Sequence, residues 1–371
     1  MRLLVDAHVF DGKFQGTRTY IEGIYTHLVK HENIDFYFVA HDIDNLKSIF
    51  GQAGNIHYVK LKSTNNIIRL AIEFPAIIKR LNIDYAHFQY ISPLFKRCKE
   101  IVTVHDLLFL DYPEYFPKSY RIKNKILFKR SSKRADLLLT VSQFSKNEIV
   151  RHFGIKDERI FITPNGVLFP NGNISLPDVK RIYGLNRFIL TVSRIEPRKN
   201  HQMLLRAYVE LKLYEQDIKL VMVGVKDLKN KPFNDYFDRL PDKVKDYVLI
   251  KPMRFNELIA LYQVADLFVF PSFAEGFGIP PIEAIALGCT TLCSNKTAMA
   301  DFDFLGDKLF NPYDIDELKS KMLFYLNHDD IKIKEEQNLI AQRYNWNNTA
   351  DQLYECFCRI NNLRNKNSNC K

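Results

Sequence analysis

Short apolar runs rich in β-branched and aromatic residues recur along the chain, separated by longer stretches whose apolar side chains return every three or four positions. Residues 2–5, 36–40, 101–104 and 137–141 read as strands buried on both faces, and 17–30, 67–81 and 144–153 as helices. This alternation predicts a parallel sheet wrapped by helices through residue 168. Turn formers without periodicity follow at 169–177. The alternation restarts with strands at 188–192, 219–224, 247–250 and 267–270. A last helix is expected over 346–363, with Leu353, Cys356, Phe357 and Ile360 on its apolar face, ahead of a polar tail at 365–371 that should fray. The predicted division is a first α/β domain at 1–168, a linker at 169–184, a second α/β domain at 185–343, and a C-terminal helix with its tail at 344–371. Two doubly wound sheets of this kind bind ligands at the carboxyl ends of their strands, so the chemistry is expected in a cleft between the domains.

The 371 residues suit two such domains, and 46% hydrophobic with 26% charged residues is an ordinary globular composition. No apolar run reaches the roughly 18 residues of a membrane span. Asp6 interrupts the N-terminus before a signal-peptide core can form, so a cytoplasmic location is expected. The six cysteines lack paired spacing and read as reduced thiols; Cys356 and Cys358 have no second ligand pair near them, and no metal is assigned. The net charge is +10, with the excess in the first half. Lys118, Arg121, Lys123, Lys125, Lys129, Arg130, Lys133 and Arg134 fall in one stretch without an acid, interleaved with Tyr120, Ile122, Ile126, Leu127 and Phe128. Residues 118–134 thus suit an anionic partner, a membrane surface or nucleic acid, against the alternative of a plain solvated helix face. With no RNA-recognition motif, zinc site or stacking platform, nucleic acid is the remote choice.

The densest chemistry lies at 270–284, a strand end, a glycine turn and a helix start. Gly276 and Gly278 let the main chain approach a ligand, and amides at such a turn suit a diphosphate. Glu275 before the turn and Glu283 inside the helix offer carboxylates to hydroxyls on either side of it. Glu275 and Glu283, separated by seven residues with Gly276-Phe277-Gly278 between them, resemble the signature of family 4 retaining glycosyltransferases of GT-B fold. The likeness runs along nearly the whole chain, and within the family it is to bacterial polysaccharide and O-antigen mannosyltransferases. It implies two Rossmann-like domains. It also implies that Glu275, Gly276, Phe277 and Gly278 hold the donor sugar and diphosphate, with Glu275 acting in catalysis, while Glu283 holds the ribose.

Cations follow the first strand of the second domain in Arg194-Ile195-Glu196-Pro197-Arg198-Lys199. This resembles the family's diphosphate clamp, with Arg194 and Lys199 at the matching positions to neutralise the leaving group. Arg198 is expected to face solvent. In the first domain His105 and Asp106 follow a buried strand. A histidine there is commonly structural; the resemblance makes His105 a contact to donor sugar or acceptor, with Asp106 orienting it or helping to accept a proton. The loop from Asp11 to Gly16 resembles the family's glycine loop, which places Gly16 at the leaving phosphate and Arg18 at acceptor or phosphate. Residues 164–167 match the interdomain hinge. The nucleobase is expected near 252–258, where Lys251 replaces a common glycine. Gly288-Cys289-Thr290-Thr291 and the segment after Asn295 also depart from the pattern, which leaves the sugar-specifying rim open. Asp301 and Asp303 mimic a metal-binding pair of the other transferase fold but lie late in the second domain, and no metal is assigned there either.

The resemblance therefore implies metal-independent, retaining transfer of a hexose, mannose favoured, from a nucleoside diphosphate sugar to a glycan acceptor in cell-surface polysaccharide synthesis. GDP-mannose is the favoured donor, with UDP- and dTDP-sugars as alternatives, and no cofactor is expected. The acceptor expected is lipid-linked, with residues 118–134 docking at the inner face of the plasma membrane; a soluble small-molecule acceptor is the alternative.

Overall fold

The computed structural model describes residues 1–12, 16–167, 176–226 and 230–368. The chain forms two compact units, one of Met1–Gly166 with Tyr344–Lys371 and one of Val167–Arg343. Of the expected linker, 169–175 lie outside the described residues, and Val179–Tyr183 form a short helix with Val179 buried.

In the first unit seven strands, β1 (Arg2–Asp6), β2 (Asp35–Ala40), β3 (Ile56–Lys60), β4 (Tyr85–Gln89), β5 (Lys99–Thr103), β6 (Leu137–Thr140) and β7 (Ile160–Ile162), form one parallel sheet in the order β3-β2-β1-β4-β5-β6-β7. The order reverses between β1 and β4, the switch point at which doubly wound sheets bind ligands. Leu3, Leu4 and Val5 are fully buried, as a central strand covered on both faces requires. The sequence pattern misses β3, β4 and β7. β4 carries His87 and Gln89 inside the core, so its composition looks polar although every residue is buried.

The last helix, Trp346–Ser368, returns to the first unit and runs past the expected end at residue 363 into the supposed tail. It packs on the helix Gly16–Leu28, where Gly23 accommodates the Trp346 ring: a Cβ on Gly23 would lie 2.2 Å from Trp346 Cδ2. Leu353 and Phe357 are buried, and Thr349 Oγ1 donates to the Pro164 carbonyl at 3.0 Å. The Ile360 side chain and Cys370 lie outside the described residues.

In the second unit β8 (Arg187–Val192), β9 (Ile218–Val223), β10 (Val248–Lys251), β11 (Leu267–Phe270), β12 (Thr291–Ser294) and β13 (Leu309–Phe310) form a parallel sheet ordered β10-β9-β8-β11-β12-β13. Its switch point lies between β8 and β11. β12 and β13 escape the sequence pattern because one holds hydroxyls and the other has two residues.

Candidate functional site

Both stretches singled out for donor chemistry leave adjacent strands at the switch point of the second unit. The chain after β8 makes a tight turn at Pro197–Lys199 and then a left-handed Asn200 (φ 53°), pinned through its side chain to the Pro312 carbonyl at 2.9 Å. That turn aims two cations at the loop after β11. Lys199 Nζ lies 2.5 Å from Glu275 Oε1, and Arg198 Nη1 lies 3.0 Å from Oε2. The Glu275 amide donates to Thr297 Oγ1 at 2.8 Å. Burial pushes the Glu275 carboxyl upward, but Lys199 and Arg198 outweigh it and hold the group near 2, so it is a fixed carboxylate.

Arg198 is therefore not the solvent-facing residue expected. Its side chain is 16% exposed, donates also to Glu196 Oε1 at 2.8 Å and to the Ala274 carbonyl, and its own carbonyl accepts the Phe273 amide at 2.9 Å. The short helical turn rotates Arg198 and Lys199 together toward the β11 loop, which residue spacing alone could not reveal. Arg194 is exposed, and its guanidinium has no partner among the described residues.

Gly276, Phe277 and Gly278 are buried. Gly278 adopts φ +104° ahead of the helix Ile279–Ala286, a conformation open to glycine, and a Cβ would meet Phe302 Cε2 at 3.2 Å. Pro280 and Pro281 occupy the first turn of that helix, so two of its four terminal positions carry no N–H. Of the first three residues of the helix only Ile279 keeps an N–H. Glu283, half-buried in this helix, accepts a hydrogen bond from the Tyr262 hydroxyl at 3.1 Å. Burial raises its carboxyl to about 7 against the pull of that bond. Gly224 after β9 lets the chain pass under β8, since a Cβ there would sit 2.0 Å from the Ser193 carbonyl oxygen. Near the expected nucleobase site, Lys251 stacks its ammonium over Tyr183 at 4.7 Å, and Tyr183 donates to Glu257. Asp303 is 80% exposed and pairs at 3.6 Å with Arg343.

In the first unit His105 follows β5 and is buried, with Nε2 2.7 Å from Gln89 Oε1 and the Tyr20 ring edge-on at 4.9 Å. Burial lowers its pKa to about 3, so the imidazole is neutral. Asp106 is half-buried and caps the next turn through the Leu108 amide at 3.1 Å. Gly16 opens its helix, while residues 13–15 of the expected loop lie outside the described residues. Arg18 lies over the Phe10 ring at 5.0 Å and 3.7 Å from Glu22. Among the described residues one group has metal-ligating geometry, Asp111, Glu148 and His152, and Arg151 bridges both its carboxylates.

Arg198, Thr297, Tyr262, Gly224, His87 and Gln89 were not singled out from sequence. The only signal for Arg198 was its place next to Lys199; the others carry no local pattern.

Two family models match the chain: Glycosyltransferase Family 4 over residues 14–167 and Glycosyl transferases group 1 over 175–346. The serotype-specific mannosyltransferase WbdA of Escherichia coli is 28% identical over 278 residues, 71% of this chain and 34% of WbdA. O-antigen chain mannosyltransferase B of Escherichia coli is 29% identical over 74% of this chain and 75% of its own length. The chain thus spans about a third of the first curated relatives it matches. In fold it is similar to a glycosyltransferase from Rickettsia africae (TM-score 0.72, 18% identity, 97% of this chain and 98% of that one). It is also similar to Anabaena Alr3699/HepE, solved in complex with UDP (TM-score 0.70, 16% identity, 96% and 99%). Matched in both units, with two parallel doubly wound sheets and the Glu275 to Glu283 loop at a switch point, the chain belongs to the family 4 glycosyltransferases of GT-B fold.

Proposed function

We propose that the chain is a retaining, metal-independent hexosyltransferase that moves mannose from GDP-mannose to a lipid-linked glycan acceptor in cell-surface polysaccharide synthesis. The observation that carries this reading is Glu275, held as a carboxylate between Lys199 and Arg198 beside the Gly276–Gly278 loop. Each partner has capacity left for substrate: a carboxylate offers about four acceptor sites and an ammonium three donors. Mannose is favoured by the names of WbdA and O-antigen chain mannosyltransferase B.

In this reading Lys199 and Arg198, joined by the free guanidinium of Arg194, neutralise the diphosphate as it departs, the task a metal ion performs in other transferases. Loop amides add hydrogen bonds, and Glu275 accepts from sugar hydroxyls. Glu275 is committed to two ion pairs and is a poor nucleophile, so the acceptor oxygen is assigned to the face the diphosphate leaves. The bond from the anomeric carbon to the diphosphate oxygen breaks, the bond to the acceptor oxygen forms, and the acceptor's proton passes to the diphosphate. His105 is assigned to a hydroxyl of hexose or acceptor, Asp106 to the turn that places it, and Gly16 and Arg18 to the phosphate and acceptor side.

Thermal shift against GDP, UDP, dTDP and ADP with their common sugars, with and without EDTA, tests the donor half. A ligand selective for the folded chain raises the melting temperature. The expected result is a rise with GDP-mannose, indifferent to EDTA and lost in Lys199→Met; no rise with any nucleotide, or one abolished by EDTA, overturns it.

The acceptor half rests on the helix Lys118–Arg134. Asn124, Phe128, Ser131 and Ser132 face the core, while Ile122 and Ile126 are 56% and 63% exposed among the lysines. Exposed isoleucines beside ammonium groups suit an anionic lipid surface, and no helix among the described residues is long and apolar enough to cross a membrane. Peripheral attachment at the inner leaflet is the proposed location. Sedimentation with phosphatidylglycerol vesicles should fall when Lys118, Lys125 and Lys129 become Glu; unchanged sedimentation, or full activity on a soluble acceptor, refutes the docking.

A further inference from the structure

Among the described residues, every large apolar side chain that the first unit exposes lies in the connections between β3 and β6, at 67–72, 94–95 and 120–126. Those three connections cross the sheet order in one direction, and right-handed crossovers place them on one face. Packing agrees. Phe74 meets Phe88 edge-on at 5.3 Å, Phe128 shares a core cluster with Val102, and Phe88 and Val102 are register partners on neighbouring strands. The opposite face is covered: His87 and Thr103 bond to Tyr25 and Tyr20 of the helix Gly16–Leu28, on which the helix Trp346–Ser368 packs. The exposed apolar side chains therefore share the face that carries the cationic helix Lys118–Arg134.

The connection from β4 to β5 has no helix and is instead clamped to Lys118–Arg134. The Ser92 amide donates to Ser131 Oγ at 3.0 Å, and Arg130 donates to the Pro93 carbonyl at 3.0 Å and the Leu94 carbonyl at 2.5 Å. Arg134 donates to the same Leu94 carbonyl at 2.8 Å, and Lys96 closes the clamp on the Arg134 carbonyl at 2.9 Å. The backbone is thus fixed while the Leu94 and Phe95 side chains stay 48% and 60% exposed. Ile122, Ile126, Arg130 and Arg134 recur every four residues along one stripe of the helix, so the exposed isoleucines lead, over about 18 Å, to the arginines that hold Leu94. We infer that Leu94 and Phe95 are an apolar wedge that enters the acyl boundary of an anionic phospholipid bilayer beside this helix. The inference deepens the proposed function and rests on its reading of Lys118–Arg134 as a membrane-docking surface. Charge decides the occupant. The helix has no acid, and Arg97 adds an exposed cation next to the wedge, so an anionic surface complements the face. A second copy meeting it through a two-fold contact would set the same cations against each other.

The test uses the full chain with phosphatidylglycerol vesicles. Leu94→Ser combined with Phe95→Ser should weaken sedimentation by on the order of tenfold or more, while the urea midpoint stays at the wild-type value because both side chains are exposed. At about 1 M salt, where the Debye length falls to about 3 Å, the wild type should keep a residual bound fraction that the double serine variant lacks. Phe95→Trp should shift its emission to the blue on the vesicles and be quenched by brominated phosphatidylglycerol, with the buried Trp346 of the wild type as the unquenched reference. If Lys118, Lys125 and Lys129 to Glu abolishes binding while the double serine variant binds like the wild type and Phe95→Trp is not quenched, the helix docks and the wedge is overturned. If the wild type does not bind the vesicles at all, the docking reading fails and the inference falls with it. A wild-type dimer in analytical ultracentrifugation that the double serine variant loses would make this face a contact between copies and overturn the inference.

Discussion

Glu283→Gln isolates the most exposed consequence of the second unit's electrostatics. Burial raises the Glu283 carboxyl from 4.5 to about 7, and the Tyr262 hydroxyl opposes but does not cancel it. The folded chain therefore holds this proton more tightly than the unfolded chain. The resulting stabilisation is fully present below the unfolded value and is lost as pH rises through the folded one. At about 1.4 kcal/mol per unit the ceiling is about 3 kcal/mol, most of which should disappear between about pH 5 and about pH 8. Glutamine preserves the shape and cannot titrate. Urea unfolding followed by circular dichroism across that range should show the wild type losing about 2 to 3 kcal/mol more than Glu283→Gln. Tyr262→Phe removes the hydrogen bond that favours the carboxylate and should move the loss to higher pH. A nucleotide whose ribose hydroxyls donate to the ionised carboxylate should bind more tightly over the same rise. Parallel pH profiles for wild type and Glu283→Gln would refute the claim that burial governs this group.

Removing the ammonium beside Glu275 in Lys199→Met should lower kcat/KM for the donor by on the order of a hundredfold, about 2.7 kcal/mol of barrier, in steady-state kinetics; a value within threefold of wild type, at about 0.7 kcal/mol, would remove Lys199 from the site. Gly224→Ala drives a Cβ toward the Ser193 carbonyl and should cost about 1–3 kcal/mol, seen as a lower urea midpoint at unchanged slope. Trp346 is the single tryptophan, and its ring fills the space beside Gly23. Gly23→Ala should therefore shift the intrinsic emission to the red as the ring is displaced toward water, while a variant with unchanged emission would contradict the packing described.

What the sequence by itself determined was whatever is written locally. Short continuous apolar runs alternating with period-3.6 patterns announced two α/β domains, because a doubly covered strand must be apolar throughout and a helix must bury one face. The Glu275, Gly278 and Glu283 spacing announced the loop proposed to hold the donor, because a strand, turn and helix start are set by adjacent residues. Tertiary structure alone decided which cations serve that loop. By sequence Arg194 and Lys199 belong to it and Arg198 to solvent, whereas the turn at Pro197–Lys199 with left-handed Asn200, anchored to the distant Pro312 carbonyl, sends Arg198 and Lys199 inward and leaves Arg194 exposed. It also decided the fate of β4. His87 and Gln89 make the strand look solvent-facing in sequence, yet they are core residues because each other and Tyr25, Thr103 and His105, up to 62 positions away from His87, supply hydrogen bonds whose loss burial would otherwise cost them.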